Sequence, residues 1–354
     1  MFHSVALPLH FADKVPLTLI QLGQTSKDKA WNLEHARRTV IEAVQKDKSR
    51  KPRMVVLPEC WNSPYGVQYF DTYAEDFGGA YEAVKTPLSG ERIDAAPAIE
   101  ASSEEKQVAE QQQKAFEKRW TIDGINPIDV SSSPSETVKM MAGLAKELDI
   151  VLVGGSIPER DAKTGKLYNT ATVFDETGRL ISMHRKLHLF DIDIPGKMTF
   201  QESKTLTAGD RITVFECSLG RFGLAICYDL RFPEIATVAS RLGAGAVLYP
   251  GAFNTTTGPR SWELLQRGRA ADNQVYIIAC SPARPSAADI EAGSYPTYGH
   301  SMVVDPWGKV IDTLDEKEGS LPVDLQKSDV EDVRKFVPVA RQRRFDVYPD
   351  VARG

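Results

Sequence analysis

The 354-residue chain is 42% hydrophobic and 26% charged, with a formal net charge of -5. That is enough apolar length to bury a large core and too little positive charge for a nucleic-acid surface. No apolar run approaches the length needed to span a membrane, so neither nucleic acid nor membrane is an expected partner.

The four cysteines, Cys60, Cys217, Cys227 and Cys280, stand far apart without a CxxC pair. This fits a reducing compartment better than a disulfide framework and leaves thiol chemistry open. The opening MFHSVALPLHFADK has neither a signal-peptide nor an Arg-rich amphipathic pattern, so the cytoplasm is the expected location, with room left for a mitochondrial pool.

Val15–Leu22 predicts a first strand, and Lys29–Lys46 a helix on which Trp31, Ala36, Val40 and Val44 share one face. Met54–Leu57 is the next strand, and it ends on Pro58-Glu59-Cys60. The turn-forming, aromatic segment Trp61–Gly66 that follows suits a pocket wall. Over residues 83–135 the composition turns charged, Gln-rich and Ser-rich, which predicts an inserted surface excursion.

After it, Glu136–Leu148 reads as a helix and Ile150–Ile157 as a buried strand. Leu167–Phe174 and Arg179–His184, joined by Asp175-Glu176-Thr177-Gly178, form a hairpin pattern that delivers Lys186. Strands follow at Thr213–Cys217, Gly223–Cys227, Ala246–Tyr249, Val275–Cys280, His300–Val304 and Lys309–Ile311, with helices at Pro233–Arg241 and Ser261–Asn273. Alternating strands and helices with hairpins mixed in exclude a purely parallel doubly wound sheet and favour sheets layered under helices. One domain over about 15–340 accounts for the pattern, with a short N-terminal extension, 1–14, and a C-terminal tail, 341–354.

Glu59, Lys186 and Cys227 each stand at or just past a predicted strand end, where sequence-distant groups meet in one cleft. Cys227 supplies a nucleophile, a buried carboxylate at Glu59 a base, and Lys186 positive charge for an oxyanion and for the ionised thiol.

At these residues the chain resembles the nitrilase superfamily of carbon–nitrogen hydrolases. LPEC carries Glu59, HRKLHLFD carries Lys186 and GLAICYDLRFPE carries Cys227. NSPYG at Asn62–Gly66, DIDIPGKMTFQES at Asp191–Ser203, YPGAFNTTTGP at Tyr249–Pro259 and WELLQRGRAADNQVY at Trp262–Tyr276 resemble its omega-amidase branch. The resemblance implies an α/β fold, a four-layer αββα sandwich, that pairs as a homodimer. It implies a second glutamate, Glu202, that orients lysine and thiol, and an oxyanion held by Lys186 and the Tyr228 backbone N–H. It implies no cofactor and no metal, and as substrate a small amide such as 2-oxoglutaramate or 2-oxosuccinamate. Tyr65, Arg231 and Thr257 are the candidates for the substrate's far carboxylate.

Other readings carry less. His184 and His188, four apart, would share a face only on a helix, and a strand-to-loop setting makes them poor zinc ligands. GxSxG and GxGxxG are both lacking. The basic Arg341-Gln342-Arg343-Arg344 suits an interface contact on an acidic protein better than nucleic acid. The alternatives kept are a sister amidase acting on deaminated glutathione or an N-carbamoyl compound, and a non-catalytic binding protein on this fold.

Overall fold

The computed structural model describes residues 7–23, 25–46, 51, 53–85, 121–196 and 198–343. In chain order its strands are β1 (Lys14–Gln21), β2 (Met54–Val56), β3 (Val151–Arg160), β4 (Leu167–Phe174), β5 (Leu180–Arg185), β6 (Asp191–Ile194) and β7 (Met198–Gln201). They continue with β8 (Thr213–Cys217), β9 (Gly220–Leu224), β10 (Ala246–Pro250), β11 (Tyr276–Cys280), β12 (Met302–Val304), β13 (Val310–Thr313) and β14 (Gly319–Gln326).

These make two six-stranded sheets, ordered β14-β1-β2-β3-β4-β5 and β13-β12-β11-β10-β9-β8, with β6 and β7 apart as a hairpin. Each sheet has a parallel centre, β1-β2-β3 in one and β9-β10-β11 in the other, flanked by antiparallel strands.

Alternation along the strands explains the layering. Leu17, Leu19, Met54, Val56, Val151 and Val153 point between the sheets, where they meet Phe222, Leu224, Leu248 and Ile278. Their neighbours Ile20, Val55, Leu57, Ile150 and Leu152 point the other way, against Ala36, Val40, Met141 and Leu144 of the helices Lys29–Lys46 and Glu136–Leu148. Helices Pro233–Arg241 and Gly258–Asn273 cover the second sheet. The architecture is mixed α/β, with paired sheets flanked by helices.

Several boundaries differ from expectation. Trp31 is 47% exposed and stacks on His35, while Asn32 takes the buried register with Ala36, Val40 and Val44. Asn32 tolerates burial because its amide donates to Ser26 O and Asn62 O. Residues 121–135 pack against the domain: Ile122 and Val130 are buried, Asp123 bridges Phe215 and Ile128 bridges Leu180. Ser135 caps the next helix by accepting from Val138 N–H. The remainder of the composition shift, 86–120, lies outside the described residues. At the other end, Leu7 and Phe11 of the N-terminal segment are buried, and Phe11 bridges Gly220.

Candidate active site

β2 and β5 run the same way in the first sheet, because β3, β4 and β5 are joined by two antiparallel pairings. Their carboxyl ends therefore open on one edge and present Glu59 and Lys186 there. The second sheet delivers Cys227 differently from expectation. β9 stops at Leu224, and Cys227 is the first residue of a 3-10 helix, Cys227–Arg231, with φ +48°. A non-glycine residue holds that conformation only where its surroundings impose it. Gly251 is part of the reason, since a Cβ there would lie 3.0 Å from Cys227 Cα.

Lys186 is fully buried between two fully buried carboxylates. Its Nζ donates to Glu59 Oε1 at 3.1 Å and to Glu202 Oε1 at 3.0 Å. Glu59 Oε1 also accepts from Asn169 Nδ2 at 2.8 Å, and Oε2 accepts from the Ala252 N–H at 2.8 Å. Glu202 accepts from Tyr65 OH and from the Phe190 N–H, each at 2.8 Å. The Cys227 thiol and the Glu59 carboxyl interact directly in this cluster.

The electrostatics correct one expectation. Burial pushes the Cys227 thiol up, and Glu59 pushes further than Lys186 pulls back, so the thiol stands well above its ordinary value. With two acids and one base the cluster disfavours a further anion, and the resting sulfur keeps its proton. Burial likewise raises Glu59, with Glu202 adding to it and Lys186 opposing. Burial would strip the proton from Lys186, but Glu202 and Glu59 outweigh it and hold the ammonium well above the ordinary lysine value. Proton transfer from thiol to Glu59 in step with attack is the chemistry this arrangement permits.

Glu59 reaches a cavity of about 300 Å³ whose wall includes Cys60, Tyr65, Tyr69 and Tyr295. Tyr65 packs on Tyr295 with ring centroids 4.5 Å apart and on Phe200 at 6.0 Å. Of the three far-carboxylate candidates, Tyr65 alone lines this cavity. Arg231 lies over the rings of Phe253 and Tyr228, at 5.0 and 5.6 Å. Thr257 is tied to Asn254 Oδ1, whose amide nitrogen reaches Tyr295 OH at 3.2 Å. The Tyr228 N–H belongs to the first turn of the 3-10 helix, where N–H groups have no partner within the helix.

Sequence reasoning missed Asn169, Tyr295 and the Ala252 N–H. Asn169 stands inside a strand that reads as plain core, and Tyr295 in a loop without a motif. His184 and His188, weighed as a zinc pair, converge instead on Asp229.

A buried Glu-Lys-Glu lattice thus lies beside a thiol at the shared edge of two helix-covered sheets, and the chain belongs to the carbon–nitrogen hydrolase family, whose model matches residues 17–335. Among its relatives is the omega-amidase NIT3 of Saccharomyces cerevisiae, 42% identical over 96% of this chain and 97% of that protein. The omega-amidase NIT2 of Homo sapiens is 41% identical over 94% of this chain and 96% of its own length. The crystal structure of Saccharomyces cerevisiae Nit3, a member of branch 10 of the nitrilase superfamily, aligns with a TM-score of 0.72 at 38% identity, covering 95% of this chain and 98% of that one.

Proposed function

We propose that this amidase of the nitrilase superfamily is an omega-amidase, hydrolysing 2-oxoglutaramate or 2-oxosuccinamate to the 2-oxo acid and ammonia. The observation that carries the reading is the Glu59–Lys186–Glu202 lattice on the Cys227 thiol. A cavity of about 300 Å³, at the small end for ligand sites, supports a short substrate, as do relatives named for this activity.

In the proposed route Glu59 takes the thiol proton as Cys227 Sγ attacks the amide carbonyl. Lys186 and the Tyr228 N–H hold the oxyanion. Glu59 returns the proton to the departing nitrogen, ammonia leaves, and a thioester remains. Glu59 then takes a proton from water, the hydroxide adds to the thioester, and the regenerated thiol and free acid complete the cycle. The chemistry uses no metal or organic cofactor. Tyr65, which lines the cavity, is proposed to hold the far carboxylate, and Arg231 and Thr257, which stand outside its wall, are proposed to take part only if the substrate reaches beyond it.

The proposal includes a homodimer, supported by Leu264 at 69% and Trp307 at 51% exposure beside one groove. It includes a cytoplasmic setting, supported by four cysteines that are all free thiols. Among the described residues no helix is long and apolar enough to cross a membrane.

The test is ammonia release from 2-oxoglutaramate by the protein and by Cys227→Ala, beside N-carbamoyl-β-alanine and deaminated glutathione. Release by wild type alone is expected. Hydrolysis of another amide but not 2-oxoglutaramate would move the chain to a sister branch, and inertness toward all three would favour a binding protein.

A further inference from the structure

Asp229 lies in the 3-10 helix that begins at Cys227, and it is fully buried. Four N–H groups converge on its two oxygens. Oδ2 accepts from the Ile226 N–H at 3.0 Å and from His184 Nε2 at 3.0 Å. Oδ1 accepts from the His188 N–H at 2.9 Å and from His188 Nδ1 at 2.8 Å. Ile226 immediately precedes Cys227, while His184 and His188 flank Lys186 at equal distance in the chain. Every donor therefore belongs either to the nucleophile's turn or to the strand end that presents the ammonium.

An ionised carboxylate has no proton to give, so both imidazoles offer it an N–H. The second nitrogen of His184 meets Thr213 Oγ1 at 3.0 Å, and the His188 ring stacks on Phe232 at 3.5 Å. Burial pushes Asp229 up, but hydrogen bonds from His184 and His188 outweigh it and leave the group well below the ordinary carboxylate range. From the other side Arg269 donates to the carbonyls of Leu230 and Arg231. The turn that keeps Cys227 at positive φ is thus gripped at its amide end by Asp229 and at its carbonyl end by Arg269.

We propose that Asp229 is a positioning residue that holds the Cys227 thiol in register with the Lys186 ammonium, by accepting Ile226 N–H on one oxygen and both the backbone N–H and the ring Nδ1–H of His188 on the other. The proposal rests on the reading of Cys227 as nucleophile and Lys186 as the oxyanion cation. It requires a carboxylate specifically. An amide of the same shape has one acceptor oxygen and turns an NH₂ toward two N–H donors, so either the turn or the lysine's strand end loses its anchor.

Asp229→Asn tests this through the kinetics of 2-oxoglutaramate hydrolysis and the rate at which iodoacetamide alkylates Cys227. The expected result is a fall in kcat of about 100-fold with KM nearly unchanged, because misplacement of reacting groups affects the transition state more than binding. Alkylation is expected to slow about fivefold as the ammonium moves off the sulfur. Unchanged kcat and alkylation would overturn the proposal.

Should Asp229→Asn fail to fold, His188 carries the test. His188→Ala is expected to lower kcat about tenfold, and His188→Asn, which returns an N–H donor near the Nδ1 position, to recover most of it. Full activity in His188→Ala, or equal loss in both, would overturn the proposal. If the wild type hydrolyses no amide, the amidase reading fails, and the alkylation rates alone decide whether Asp229 places the thiol.

Discussion

Burial raises the proton affinity of Glu59, and in the proposed route, where it is the base, the pH dependence of the reaction follows from that. As the base it acts only when ionised, so activity is present above its raised pKa and is lost as pH falls through it. The acid limb of kcat/KM is therefore expected to have its midpoint above the ordinary glutamate value of 4.5. A midpoint at or below that value would contradict Glu59 as the base. Lys186 also bears on stability, since it is the ammonium shared by Glu59 and Glu202. Lys186→Met is expected to cost about 3–5 kcal/mol in a denaturant titration, because it leaves buried carboxylates uncompensated. Adding Glu202→Gln should recover part of that loss, and a neutral single variant would show that the pair carries no net stability. Glu59, Lys186 and Cys227 were legible because reactive residue types stood at strand ends inside specific blocks, whereas Glu202 came only from the resemblance those blocks carry. The sequence could not display Asn169 as the partner of Glu59, since a contact between residues 110 apart depends on strand pairing rather than local pattern.

At the scale of elements, the strands that build the edge of the site were legible as short, nearly continuous apolar runs bounded by turn-forming residues. The strand before the nucleophile was placed too late: Ala225 and Ile226 are as apolar as Leu224, but Ala225 makes the last bond to the neighbouring strand and Ile226 already turns its N–H to Asp229. β14 escaped because Pro322 reads as a strand breaker. It is tolerated there because β14 is an edge strand, whose pairing with β1 leaves one side free of ladder bonds. Residues 121–135 escaped because Ser-Ser-Ser-Pro-Ser-Glu has a linker's composition, whereas Ser135 is a helix cap whose hydroxyl also donates to buried Glu75 at 2.7 Å. The loop after β10 carries its own prediction. Gly251→Ala places a methyl against Cys227 Cα, and backbone there has little room to yield. It should lower kcat about tenfold while the melting temperature falls only a few degrees, and unchanged kinetics would show that the turn accommodates the methyl.

For the whole molecule, the two sheets share one apolar core, so the halves of the site are as rigid relative to each other as the packing between them. The groove beside the helix Gly258–Asn273 carries two exposed large apolar side chains, Leu264 and Trp307. Leu264→Arg is expected to convert a dimer to a monomer in sedimentation at micromolar concentration, and a monomeric wild type would remove the dimer from the proposal. The helix-covered layers followed from the order of strands and helices, whereas partner surfaces did not, because exposure is decided only once the chain has packed. The pairing of two carboxylates with a single ammonium also bears on how the cycle ends. The amide enters with its reacting end uncharged, whereas the product acquires a carboxylate there as soon as it ionises, facing Glu59 and Glu202 with only Lys186 to balance them. Like-charge repulsion then expels the acid from the place where the neutral amide was welcome, so the site that makes the product is built to hold it poorly.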